Sequence, residues 1–266
     1  MTTTKIMGIL NVTPDSSYDK GKYFIFEDAV ERGITLYKEG ADWLDIGGES
    51  TRPKATPVSE KEELQRVLPI ITALKKEIPI PISIDTMKAS VAQAAIDAGA
   101  TLINDVSGFR DANMRAVAIQ SQLPFCIMHM HETPQTMQEN VMTTKDIIPF
   151  LLNWFEERIE LLLKEGAKEV NIILDPGIGF GKTMQHNFSI LKHLDQFKKL
   201  GFPILISLSR KSFLGKLIDK TYPDLLAVSL MANTIAIQKN IDIIRVHDVL
   251  EHRQILQLMN YMDSIN

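Results

Sequence analysis

Arg245 and His247 stand two residues apart near the end of an apolar run, DIIRVHD (242–248). Alternate side chains of an extended chain share a face, so this guanidinium and imidazole can meet one anion, and a guanidinium fork suits phosphate oxygens. The competing role for Arg245 is an ion pair across the same space. Three other apolar runs end in groups of a different kind: Asp85 in PISIDT (81–86), Asn104 in TLINDVS (101–107) and Asp175 in VNIILDPG (170–177). Their acceptors and amide donors fit a flat, nitrogen-rich ring. Lys211, two residues beyond Ser209 at the end of PILISLS (203–209), could reach a ring carbonyl or nitrogen. Asn11, near the end of KIMGILNV (5–12), offers a hard oxygen for Mg²⁺, an ion that takes few protein ligands when phosphate and water complete its shell. The two remaining runs, DWLDIGG (42–48) and PFCIMHM (124–130), lead into Glu49 and into His129 and His131. Burying an acid or amide inside a strand is costly without partners, so a converging set implies a ligand or a mutual hydrogen-bond network.

Two patterns invite other chemistry. The stretch DPGIGFGKT (175–183) looks like a nucleotide-binding loop, but Pro176 occupies the place of the first glycine in G-x-x-x-x-G-K-T. It reads instead as a turn that lets its strand approach a ligand closely, with Lys182 solvated. His129 and His131 share a face if extended, yet no carboxylate accompanies them as a third ligand, so one of the two is expected to be structural. The lone cysteine, Cys126, lies in an apolar run and reads as a small buried hydrophobe.

These groups meet only if the elements carrying them bring them together. The eight apolar runs alternate with segments of helical spacing, such as Ala29, Val30, Gly33, Ile34 and Tyr37, or Ile148, Leu151, Leu152, Phe155, Ile159, Leu162 and Leu163. Near-continuous apolar strands suit a parallel sheet covered on its faces, and Gly40, Gly99, Gly166 and Gly201 close helices ahead of the next strand. Eight strand–helix units in 266 residues predict an α/β fold, a single (β/α)₈ TIM barrel, as one domain over 1–266. An open doubly wound sheet would carry a glycine fingerprint after its first strand, and none stands there. A parallel barrel delivers the C-terminal end of every strand to one mouth, which gathers the polar groups. The longest loops follow strands one, two and five.

Composition narrows the partners. A net charge of −4 and a pI near 5.9 supply no basic field for nucleic acid. No secretory signal or apolar run of membrane-spanning length is legible, so a cytoplasmic chain with no membrane partner is expected. The Asn11-Val12-Thr13 and Asn187-Phe188-Ser189 sequons are then expected to carry no glycan.

The runs GILNVTPDS (8–16), GGESTRP (47–53), IDT (84–86), INDV (103–106), MHM (128–130), DPGIGFGK (175–182), SRK (209–211) and RVHD (245–248) together resemble the dihydropteroate synthases in order and spacing. The resemblance covers essentially the whole chain. It implies a transferase of folate biosynthesis that joins a dihydropterin diphosphate to p-aminobenzoate, with Mg²⁺, as a homodimer and a sulfonamide target. It further implies that Asp85, Asn104, Asp175 and Lys211 hold the dihydropterin, and that Asn11, Arg245 and His247 bind Mg²⁺ and diphosphate. Thr51 and Arg52, on a mobile loop, would close over the substrates, Ser209 would lie beside p-aminobenzoate, and Asp15 would help shelter the reacting cation. Two departures from the family pattern stand out. The first loop has Ser17, Tyr18 and Lys20 where phenylalanine, serine and glycine are usual, which implies weaker contact with p-aminobenzoate and with sulfonamides unless Tyr18 substitutes. Lys54 replaces the usual glycine after Ser-Thr-Arg-Pro. The alternatives are a pterin-dependent methyltransferase with a corrinoid partner, and a pterin-binding protein without turnover.

Overall fold

A computed structural model describes residues 4–13, 26–221 and 223–265. Eight strands, β1 (Lys5–Asn11), β2 (Trp43–Gly47), β3 (Ile82–Asp85), β4 (Leu102–Asp105), β5 (Phe125–Met128), β6 (Ile172–Asp175), β7 (Leu205–Ile206) and β8 (Ile243–Val246), lie within the eight apolar runs. All pairings are parallel, in the order β6-β5-β4-β3-β2-β1-β8-β7. The two ends of that order meet through a parallel bridge between Leu174 and Ile204, with Leu174 N–H donating to the Pro203 carbonyl at 2.9 Å. The sheet therefore closes into the expected (β/α)₈ barrel.

The first four helices are α1 (Phe26–Lys38), α2 (Glu60–Glu77), α3 (Ala89–Ala98) and α4 (Ala112–Ser121), each following the strand of the same number. Then come α5 (Ile147–Lys164), α6 (Met184–Lys192), α7 (Leu194–Phe197), α8 (Ser212–Ile218), α9 (Leu226–Gln238) and α10 (Val249–Ser264). The helical periodicity appears as burial: α5 buries Ile147, Leu151, Phe155, Ile159 and Leu162, three or four residues apart. The four anticipated helix-closing glycines, Gly40, Gly99, Gly166 and Gly201, all take positive φ. The helix N-terminus that matters for the site belongs to α2, where the Ser59 hydroxyl accepts from the Glu62 N–H at 3.2 Å.

Strand parity decides what enters the barrel. Met7, Leu102, Cys126, Ile173, Leu205 and Ile243 pack into a small apolar cluster apart from the main core, with Trp43 against it. Two residues further along the same runs stand Ile9, Asp45, Asn104, Met128, Asp175, Ser207 and Arg245, which places the five polar residues among them directly above an apolar floor. Cys126 is fully buried in the floor, and burial pushes its thiol well above the ordinary value, as the small-hydrophobe reading expects.

Candidate active site

The mouth of the barrel holds a pocket of about 260 Å³. Of the residues singled out from the sequence, Asn11, Thr51, Arg52, Asp85, Ser209, Lys211, Arg245 and His247 line it. They arrive from β1, β3 and β8 and from the loops after β2 and β7, which is the convergence that a parallel barrel imposes. Asn104 and Asp175, at the ends of β4 and β6, are buried and stand outside that lining. They belong to the layer beneath it.

Arg245 organises that layer. Its Nε donates to Asp45 Oδ2 at 2.5 Å and its Nη2 to Asp85 Oδ2 at 2.7 Å, while Asn104 Nδ2 donates to the same Asp45 oxygen at 3.2 Å. Of the two roles weighed for Arg245, the ion pair is formed. It is a buried ion pair across the mouth, and Arg245 Nη1 keeps no partner among the described residues, available to an anion. Burial works against its charge, but Asp45 and Asp85 outweigh burial and hold its pKa above the ordinary guanidinium value. Burial pushes the Asp85 carboxyl up; Arg245 opposes this and Asp45 adds to it. Asp45 Oδ1 and Asp85 Oδ1 are buried without hydrogen-bond partners, so the layer is electrically crowded and incompletely satisfied as it stands.

His247 makes no second cation beside Arg245. Burial, then Arg245, Arg52 and Arg210, hold its imidazole pKa well below the ordinary value, so the ring is neutral. Ser209 Oγ accepts the His247 N–H at 3.2 Å and lies 3.0 Å from His247 Nδ1. The hydroxyl can accept a second bond or donate its own proton, so this contact holds the ring in place in either neutral tautomer. The strand-eight pair is thus one guanidinium and one neutral imidazole. Lys211 Nζ sits 4.4 Å from the centre of the Phe180 ring. Burial lowers its pKa to about 8, against the pull of Asp175.

The turn after β6 corrects a second expectation. Lys182 is buried, not solvated: its Nζ donates to the carbonyls of Gly177 at 2.8 Å, His129 at 3.1 Å and Phe180 at 3.3 Å, and lies 2.9 Å from His129 Nδ1. Burial lowers the lysine to about 7 and the facing imidazole to about 2. The glycines there serve the approach of this turn to the chain after β5 as well as to any ligand. At Gly177, φ is +68° and an added Cβ would lie 1.9 Å from the His129 carbonyl oxygen. That packing aims Asp175, because Gly177 N–H donates to Asp175 Oδ1 at 2.7 Å. His129 is the structural member of the histidine pair, and no cluster of three His, Cys, Asp or Glu suited to a metal occurs among the described residues. Asp105, the last residue of β4, folds the turn after it by accepting from Ser107 N–H at 2.8 Å and Phe109 N–H at 2.9 Å.

Several site residues escaped the sequence reading. Asp45 had a signal, a lone acid in the middle of WLDIG, which a fully buried position must pair. Met137, Gln138 and Phe180 also line the pocket, and nothing local in the sequence marks them. Lys54 takes φ +64°, the region glycine favours, at the position where the resemblance has glycine as usual. Asp15, Ser17, Tyr18 and Lys20 lie outside the described residues.

A family model described as "pterin binding enzyme" matches residues 7–247. A dihydropteroate synthase of Synechocystis sp. is 45% identical over 257 residues, spanning 96% of this chain and 89% of that protein. The chain belongs to the dihydropteroate synthase family. Among solved structures of that family, the Yersinia pestis synthase in a sulfonamide drug complex superposes with a TM-score of 0.95 at 37% identity, covering 99% of this chain and 95% of that one. The Xanthomonas albilineans synthase with 4-aminobenzoic acid gives 0.92 at 38% identity, covering 99% and 94%. Membership in the synthase family sets the methyltransferase alternative aside. It also gives the pocket its chemistry, since a transferase of this family must hold a pterin and release diphosphate at one mouth.

Proposed function

We propose that this chain joins (7,8-dihydropterin-6-yl)methyl diphosphate to p-aminobenzoate, giving 7,8-dihydropteroate and diphosphate for folate biosynthesis, with the strand-end residues in divided roles. The observation that carries the division is the layering of the barrel. Asn104 and Asp175 lie low, with Asp85 and Lys211 lining the pocket over them, so that a flat ring above the apolar floor would exchange hydrogen bonds with two acids, an amide and an ammonium. Asn11, His247 and the Nη1 of Arg245 line the part of the pocket where a diphosphate would lie, with Ser209, Thr51 and Arg52 beside the incoming amine.

In the reaction the bond between the pterin methylene and the diphosphate oxygen breaks, its electron pair leaving with the diphosphate. The aniline nitrogen then gives its lone pair to the methylene carbon and loses a proton. Arg245 is already fixed by two carboxylates and His247 by Ser209, so both meet the growing negative charge without reorganising. The methylene cation needs exclusion of water more than a base, which suits closure by Thr51 and Arg52.

Mg²⁺ is part of the proposal. The Asn11 side-chain amide makes no hydrogen bond within the described residues and lines the pocket, which fits an ion taking one protein oxygen and completing its shell from diphosphate and water. When bound, the ion would neutralise charge on the leaving group. We further propose a homodimer, supported by the exposed apolar residues Met231 on α9 and Leu258, Tyr261 and Met262 on α10. A cytoplasmic location and sulfonamide inhibition at the p-aminobenzoate subsite belong to the same proposal; no helix of the described residues is long and apolar enough to cross a membrane.

A coupled assay for diphosphate release tests the reading. Release is expected only with the pterin diphosphate, p-aminobenzoate and Mg²⁺ together, and dihydropteroate should accumulate in equal amount. Release undiminished by a chelator removes the metal, and pterin binding without turnover makes the chain a silent binder.

A further inference from the structure

We propose that Lys88 is a positioning residue of the reaction: bridging Glu49 and Glu63, it clamps the neck of the loop that carries Thr51 and Arg52. The inference rests on the placing of those two residues at the substrates. The loop leaves β2 at Gly48 and re-enters structure at Ser59, the N-cap of α2. Glu49 Oε1 accepts the Val58 N–H at 3.0 Å, so one side chain closes the loop on itself. The other oxygen, Oε2, accepts from Lys88 Nζ at 2.7 Å, and the same ammonium donates to Glu63 Oε2 at 2.5 Å. Three elements meet there: the loop, α2 and the residue before α3, which follows the pterin-facing Asp85 by three positions. Gly48 completes the junction, because a Cβ on it would sit 2.7 Å from Val67 Cγ1, and its carbonyl accepts from Arg66 Nη1 at 2.7 Å.

Magnitudes locate the control at the neck and not at the tip. At the tip, Lys54 N–H donates to the Pro134 carbonyl at 3.2 Å, and Lys54 pairs with Glu139 at 3.5 Å with side chains 73% and 62% exposed. Pairs of that kind contribute little. At the neck, Glu63 is fully buried, the Glu49 side chain is 8% exposed and Lys88 25%, so the charges face a weak screen. Bulk stability does not require them there, since a buried ion pair is commonly matched or bettered by apolar side chains of similar volume. Two carboxylates on one ammonium, with Glu63 Oε1 left unpartnered, make a costly joint whose distinctive product is direction: it fixes where the loop starts and ends.

The test uses full-length Lys88→Met, Lys88→Arg and Glu49→Gln. Lys88→Met is expected to speed amide exchange in the segment 50–58. It should also raise KM for p-aminobenzoate at least tenfold, while affinity for the pterin diphosphate measured alone changes less than threefold. Lys88→Arg should restore most of the KM. Glu49→Gln, which keeps an oxygen for Val58, should show the same split at smaller size and serves if Lys88→Met does not fold. Unaltered exchange in folded variants overturns the clamp. Faster exchange with unaltered kinetics overturns its role in the reaction and traces the failure to the placing of Thr51 and Arg52. Equal loss for both substrates reduces the trio to a fold element and likewise overturns the proposal.

Discussion

Arg245 faces two acids from below and, in the proposed reaction, an anion from above. Truncating it therefore does two things at once. Removing one preorganised donor to a developing charge costs about 2–4 kcal/mol of transition-state stabilisation, so Arg245→Ala should lose roughly 10²- to 10³-fold in kcat/KM. Breaking a buried pair from one side costs about 3–5 kcal/mol, because Asp45 and Asp85 are left facing each other. Asp85, whose pKa burial already raises, can relieve part of that by taking a proton. The stability deficit of Arg245→Ala should then be larger at pH 8 than at pH 5, read by urea unfolding beside wild type. A variant that unfolds like wild type at both would show that the ion pair does not form in solution.

Between single residues and the whole barrel stand the loops, and the turn after β6 offers a comparison within one chain. Gly177 and Gly201 both take positive φ, but an added Cβ meets the His129 carbonyl at 1.9 Å in the first case and nothing within 4 Å in the second. Gly201→Ala should cost only the backbone conformation, about 1–2 kcal/mol. Gly177→Ala must move the turn, and with it the N–H that aims Asp175. We expect it to weaken binding of a pterin ligand by well over tenfold in calorimetry, with Gly201→Ala unchanged in affinity. Similar affinities for the two would take Asp175 out of the pterin pocket.

For the molecule as a whole, two lysines, the buried Lys182 and the half-buried Lys211, set an unusual pH response. Lys182 and Lys211 have folded pKa values of about 7 and about 8, while in the unfolded chain both keep their protons up to 10.5. Between about pH 7 and 9 the unfolded state binds more protons, so unfolding free energy rises with pH across that window. Cys126 opposes this only near and above 9.0, where the unfolded thiol ionises and the buried one does not. At about 1.4 kcal/mol per proton per pH unit, the two lysines should add on the order of 2–4 kcal/mol to ligand-free protein from pH 7 to pH 9. Lys182→Met should flatten that rise by about half or more. Equal slopes for wild type and variant would mean that Lys182 stays charged in the fold.

The barrel and most of its mouth were legible because both follow from short-range pattern. Eight apolar runs separated by helical spacing leave few ways to cover a parallel sheet, and alternation along a strand alone ties Arg245 to His247. Strand ends in a parallel barrel share one mouth whatever their sequence distance, so Asn11, Asp85, Asn104, Asp175 and Ser209 could be assembled before any coordinates. Tertiary structure alone decided the partners. Arg245 meets Asp45 across 200 positions and Lys182 meets His129 across 53, and no local window contains both members of either pair. Burial decided charge as well, leaving His247 neutral and Lys182 inside, because the cost of ionising a group depends on what surrounds it in space and not on its neighbours in the chain.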